Sequence, residues 1–115
     1  MKQIIYIAGE VTNLPYELAK ANFLNAERAL QAHGYETVNP TRIIPGSTSW
    51  EDAMILCLAE LADVDGIFLQ DNWTKSRGAI REVFHYISIC DSKGTKPLIL
   101  TYEDFKPGFL TTKKG

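Results

Sequence analysis

Hydrophobic positions along the chain fall into two kinds of run, and the two alternate. Gln3-Ile4-Ile5-Tyr6-Ile7-Ala8 is continuously apolar after its first residue and stops at Gly9. A run without polar alternation suits a parallel strand covered on both faces. Ala19, Phe23, Ala26 and Leu30 then recur at helical spacing, with Pro15 placed for a first turn and Asn13 for its cap. On that helix Lys20, Glu27, Arg28 and Gln31 read as the solvated side, and His33-Gly34 as its end. Tyr35-Glu36-Thr37-Val38 predicts a brief second strand closed by Asn39-Pro40, and residues 41–49 a loop. Ser49 followed by Glu51 and Asp52 predicts a helix start. Trp50, Ala53, Met54, Cys57, Leu58 and Leu61 give that helix a broad apolar face, so it is expected to be largely buried. Asp65-Gly66-Ile67-Phe68-Leu69 predicts a third strand, Ala79, Val83, Ile87 and Cys90 a third helix, and Lys96 to Thr101 a last strand. Pro97 is tolerable at the start of such a strand or on a sheet edge.

Strand alternating with helix four times over argues for an α/β domain with a parallel sheet and right-handed crossovers. At 115 residues the chain makes one domain. Its boundaries are drawn at residues 1–101, leaving a tail from 102 to 115 in which Phe105, Phe109 and Leu110 are the residues able to dock. Three helices cover both faces of a small sheet poorly, so a homodimer or higher homo-oligomer is expected, with the second helix as the candidate face.

Composition mainly excludes. A formal charge of −2 with dispersed Lys and Arg gives no footprint for a nucleic acid polymer. The first apolar run is strand-length, too short for a signal peptide or a membrane span. Cys57 and Cys90 both sit in apolar helical patterns without metal-ligand spacing, which reads as reduced core thiols and a cytoplasmic protein. Neither a metal nor an organic cofactor is signalled.

The chemistry-bearing stretch is Ser76-Arg77-Gly78-Ala79-Ile80-Arg81-Glu82, between the third strand and its helix. In an open α/β sheet this junction forms the ligand crevice. A carboxylate one turn into the helix faces the positive end of the helix dipole, which makes Glu82 a candidate nucleophile or an anchor for substrate hydroxyls. The plainer reading is a serine cap, a turn and an ordinary early-helix glutamate.

Five separated segments then agree in order: Tyr6-Ile7-Ala8-Gly9, Val38-Asn39-Pro40, Ser49-Trp50-Glu51-Asp52, Asp65-Gly66-Ile67-Phe68-Leu69, and Asn72-Trp73 followed by Ser76-Arg77-Gly78-Ala79 and Glu82. Over about the first hundred residues the chain resembles the DUF4406 family of small nucleoside 2-deoxyribosyltransferase-like proteins. The resemblance implies a flavodoxin- or Rossmann-like three-layer sandwich around a parallel sheet of four to five strands. It also implies a nucleoside or nucleotide ligand and cleavage of an N-glycosidic bond, by hydrolysis or deoxyribosyl transfer. Glu82 stands where the wider superfamily carries its nucleophilic glutamate. Ser76 stands where the transferases carry an aspartate for the sugar hydroxyl and the monophosphate hydrolases a serine for phosphate. Gly9 stands at the turn beside the nucleotide. Arg77 and Gly78 would help hold an anion, Tyr6 would floor the pocket, Asp71 would contact substrate, and Trp73 would stack a base at the mouth.

Two places in the chain depart from the enzymes. Cys57 stands where they carry an aspartate in the second helix, and Asp52, Glu51 or Asp71 would have to substitute. Glu10 and Thr12 stand in the first loop, where the hydrolases offer hydroxyl and Arg groups. These departures keep two other expectations in play: a non-catalytic binder of nucleotides or ADP-ribose-like ligands, and an oligomeric scaffold.

Overall fold

The computed structural model describes residues 2–105. Four parallel strands, β1 (Ile4–Ala8), β2 (Glu36–Val38), β3 (Gly66–Leu69) and β4 (Ile99–Thr101), lie in the order β2-β1-β3-β4. Tyr6 pairs with Val38 on one side and Ile67 on the other, and Leu69 pairs with Thr101. Helix α1 (Tyr16–Ala32) follows β1, and a single-turn helix α2 (Pro40–Ile43) follows β2. Helix α3 (Trp50–Glu60) leads into β3, and α4 (Arg77–Lys93) joins β3 to β4.

Side chains alternate across the pleat and so build two cores. Ile5, Ile7 and Phe68 meet Phe23, Ala26 and Leu30 of α1 on one face. Tyr6, Ala8, Ile67 and Leu69 meet Cys57 of α3 and Ala79, Val83, Tyr86 and Cys90 of α4 on the other. This is the expected three-layer α/β sandwich. It also explains the unbroken apolar runs, since Ile5 to Ala8 and Ile67 to Phe68 are wholly buried.

The local expectations fare unevenly. Ser49 accepts a hydrogen bond from the Asp52 amide and Ser76 one from the Ala79 amide, so both serine caps form. Pro15 itself caps α1, with no side-chain cap, so the capping role expected of Asn13 is corrected. The 41–49 stretch is helical at its start because Asn39 caps α2 through the Thr41 amide and Pro40 sits at its first position. Glu27 is buried, not solvated. Helix α3 buries only Met54 and Cys57 and leaves Ile55 67% exposed, so the expectation of a largely buried helix is overturned. The apolar residues of α3 go all round, and only one side meets the sheet. Phe105 docks as expected, its ring against His33 and stacked with Phe68; Phe109 and Leu110 lie outside the described residues.

Candidate active site

The connections after β1 and β3 leave toward opposite faces, α1 on one side and α4 on the other. The crevice between the carboxyl ends of these neighbouring strands is therefore the topological switch point. A cavity of about 360 Å³ opens there, between the first loop, the segment after α2, and the N-terminal turns of α3 and α4. Its inner end is Glu82, placed there because α4 starts at the Ser76 cap and turns its buried stripe of Ala79, Glu82 and Val83 inward.

Glu82 is 6% exposed. The Tyr6 hydroxyl, wholly buried in β1, donates to its Oε2 at 2.8 Å. Burial pushes the Glu82 carboxyl up to about 7, against the opposing effect of hydrogen bonds from Tyr6 and Cys57. The Cys57 thiol is pushed up to about 12, first by burial and then by the Glu82 charge, so it stays protonated at neutral pH as a donor to the carboxylate. Tyr6 is raised well above its ordinary value by burial and the same charge. Among the described residues lining the cavity, Glu82 is the sole carboxylate, and no Lys or Arg joins it.

The remaining walls are hydroxyl, glycine and ring. Thr12, Thr41, Thr48 and Ser76 supply hydroxyls, and Tyr16, Trp50 and Met54 supply flat or soft apolar surface. Gly78 lets the first turn of α4 approach closely, since a Cβ there would press on Met54 Sδ at 3.2 Å. With the Ala79 amide bonded to Ser76 Oγ and the Ile80 amide to the Ser76 carbonyl, the earlier amides of α4 point outward from its positive end. Just outside, the Arg77 guanidinium lies over the Trp50 ring at 4.1 Å from its centroid.

Residues 3–93 match the model of a family described as "Domain of unknown function (DUF4406)". The chain belongs to this family. Among solved structures, the DUF4406 chain is similar to the CMP N-glycosidase BcmB of Clostridium botulinum, at 15% identity over 86% of this chain and 69% of that one, with a TM-score of 0.53. At that identity the likeness is one of fold. No curated protein matches.

In the DUF4406 chain the site residues expected from sequence do not all converge. Glu82, Gly9, Ser76 and Gly78 line the one cavity, with Tyr6 directly behind Glu82. Arg77 stays at the rim on Trp50. Trp73 lies in a short turn packed against the α3–α4 core and does not line the cavity. Asp71 opens into a different cleft, and neither Asp52 nor Glu51 reaches the cavity, so none of the three stands in for the acid missing at Cys57. Gly9 has a reason the sequence did not reveal: a Cβ there would collide with the Gln70 side chain. Glu10 is buried, with its amide bonded to Asn72 Oδ1 at 3.1 Å, which ties the loops after β1 and β3 together. Sequence reasoning missed the wall of Tyr16, Thr41, Thr48, Trp50 and Met54. The available signal was the cluster of hydroxyl and turn residues just ahead of the Ser49 cap.

Proposed function

We propose that this protein cleaves the N-glycosidic bond of a nucleoside or nucleoside 5′-monophosphate, with Glu82 as nucleophile. The observation that carries the reading is the one carboxylate among the described residues lining a nucleotide-sized cavity, held by Tyr6 and Cys57 and poised near neutrality. The fold shared with a CMP N-glycosidase supports it, as does the resemblance of the five ordered sequence segments to nucleoside 2-deoxyribosyltransferase-like proteins.

Ionised Glu82 attacks C1′; the bond to the base breaks with its electron pair leaving on the base, and an ester forms between C1′ and the carboxylate. Water then attacks C1′, restores the carboxylate and supplies the proton that the base takes up. Tyr6 and Cys57 are positioning residues, fixing the carboxylate in a site with little water. The threonine and serine hydroxyls bind sugar and phosphate, the outward amides of α4 favour an anion, and Trp50 or Tyr16 faces the base. Kinetically this divides one difficult displacement into two easier ones.

The absence of a second carboxylate from the described cavity lining favours one other reading, a nucleotide-binding protein without turnover. Chromatographic measurement of base release from a panel of nucleosides and 5′-monophosphates separates the two. Release from the wild type that vanishes in Glu82→Ala is the expected result. Ligand-induced thermal stabilisation with no release from any member of the panel would establish the binder instead.

Two further expectations belong to this proposal. Ile55 and Leu56 on α3 and Phe84 on α4 are exposed apolar residues on adjacent helices, which supports a homodimer through that face; sedimentation would test it. Cys57 and Cys90, free and buried, support a reducing, cytoplasmic setting. No helix of the described residues is long and apolar enough to cross a membrane.

A further inference from the structure

A second cleft, of about 410 Å³, lies on the α1 side of the same crevice, lined by Asn22 and Asn25 of α1, by Gln70, Asp71 and Asn72 after β3, and by Tyr102. Among the described residues every lining side chain can hydrogen-bond, and none carries a positive charge. Its most informative member is Gln70. The residue is 4% exposed, and its Nε2 has no hydrogen-bond partner among the described residues. Its main-chain groups are fully used: the amide donates to the Ala8 carbonyl and the carbonyl accepts from Trp73.

A buried donor left without an acceptor costs stability, and a leucine or methionine would fill the same space without that cost. The amide as placed occupies the space that a Cβ at position 9 would take, so the glycine there gives it room. An expensive side chain, seated by a matching glycine at the switch point of the sheet, is what a ligand-reading group looks like before its ligand arrives. Gln70 packs on Gly9, which lines the Glu82 cavity, while itself lining the second cleft, so the two spaces share this partition. The terminal torsion of a glutamine is soft, so the donor can turn to a ligand in the cleft without moving the chain.

The chemistry of the lining selects the ligand. With no Lys or Arg among the described lining residues, and with Asp71 at its edge, the described lining disfavours anions, phosphates included. Tyr102 feels that carboxylate directly: its hydroxyl is raised by burial and by the Asp71 charge. What the cleft offers is an unmet amide donor beside a carboxylate acceptor, framed by three asparagine amides. The complementary edge has a ring nitrogen or carbonyl acceptor next to an amino donor. Amide side chains read that pattern on adenine, and carboxylates accept from the cytosine amino group. We propose that this cleft binds a free, amino-bearing nucleobase, with Gln70 donating to the ring acceptor and Asp71 accepting from the exocyclic amine.

The test is a titration of the full chain, followed by ¹⁵N NMR, with cytosine, adenine, uracil, ribose and glucose in turn. Cytosine or adenine is expected to shift the Gln70 side-chain amide and the Asn22, Asn25 and Asn72 signals saturably, and to keep doing so in Glu82→Gln protein, which does not turn over, when a 5′-monophosphate fills its cavity. Uracil should bind more weakly, and the sugars should leave these signals unmoved. Gln70→Leu should weaken base binding about tenfold or more, equivalent to about 1.4 kcal/mol, while melting no lower than the wild type. Asn25→Ala, a change on an exposed helix position, gives a second variant expected to fold normally and bind more weakly. Sugars that shift these signals as well as bases do would overturn the proposal. So would shifts abolished by the monophosphate, Gln70→Leu and Asn25→Ala proteins that both bind like the wild type, or no saturable shift with any base.

Discussion

Two helical glutamates in this protein are equally buried, at 6% exposure, and their surroundings make opposites of them. Glu27, on α1, meets Arg42 of α2 with Nε at 2.9 and 3.0 Å from its two oxygens and Nη2 at 2.8 Å from Oε1. Asn39 and Thr37 add hydrogen bonds at 3.4 and 3.2 Å. Burial pushes Glu27 up, but the Arg42 and Asn39 hydrogen bonds, the Arg42 charge and Thr37 outweigh it and leave the carboxyl below its ordinary value. Glu82, on α4, has among the described residues the neutral donors Tyr6 and Cys57, and burial wins, taking it to about 7. A buried carboxylate with a guanidinium is a fastener. One without a cation, facing a cavity, is held in a state from which it can react.

The fastener serves the reactive site. Arg42 and Asn39 belong to the segment whose Pro40, Thr41, Pro45, Gly46 and Thr48 wall the Glu82 cavity, so the Glu27 network clamps that wall to α1. Each residue of the pair therefore predicts a different failure when altered.

The largest effect expected is on chemistry. Glu82→Gln keeps the shape and an acceptor for Tyr6 but removes the proposed nucleophile, and base release should fall by about a thousandfold or more. Steady-state assays beside a circular-dichroism check of folding would measure it. The matching Glu27→Gln change should leave the chemical step intact and act through KM, by loosening the cavity wall.

Stability against pH should show the next largest effect. The folded-state value of Glu82 lies above its unfolded value of 4.5, so its contribution is fully present below about 4.5 and is lost as pH rises through about 7. The cost approaches about 3 kcal/mol above that range. Denaturant melts from pH 4 to 8 should show this decline in the wild type and a flatter profile in Glu82→Gln. Glu27 carries the opposite sign: its depressed value stabilises at neutral pH, and that contribution is lost as pH falls through the carboxylate range.

Tyr6→Phe should have a smaller effect. It removes a hydrogen bond that lowers the Glu82 value, so the acid limb of the pH–rate profile, set by ionisation of the nucleophile near pH 7, should move upward. The accompanying loss of rate should be about tenfold. An unmoved limb would mean that another group controls it.

The mildest change is expected from Arg42→Ala, whose side chain is largely exposed although its partner is not. Melting temperature should drop by a few degrees at neutral pH and by less in acid, where Glu27 is protonated. KM should rise while kcat holds.

The contrast between the two glutamates also marks what sequence could convey. Glu82 was legible because its setting is local: a strand, a Ser-Arg-Gly turn and the first turns of a helix bring it to the crevice. The alternation of runs likewise gave the α/β fold with its parallel sheet, since each run reports its own burial, and the family resemblance added the three layers. Glu27 was misread as solvated because its partner lies fifteen residues on, in a single-turn helix that periodicity does not detect. Helix α3 was misread for a related reason: an all-round apolar helix predicts burial, but the sheet has room for only one of its sides. The orphaned amide of Gln70 and its fit to Gly9 come from a contact between two loops, which no single stretch encodes.

The most direct test of the central claim is chemical trapping. A 2′-fluoro-arabinosyl nucleoside and its 5′-monophosphate slow the opening of a glycosyl ester, because fluorine disfavours the oxocarbenium-like transition state. After incubation, peptide mass spectrometry should find the fluoroglycosyl adduct on Glu82 and nowhere else, and none in Glu82→Gln. Release of base from natural substrates at a wild-type rate by Glu82→Gln, or an adduct on another residue, would contradict the account.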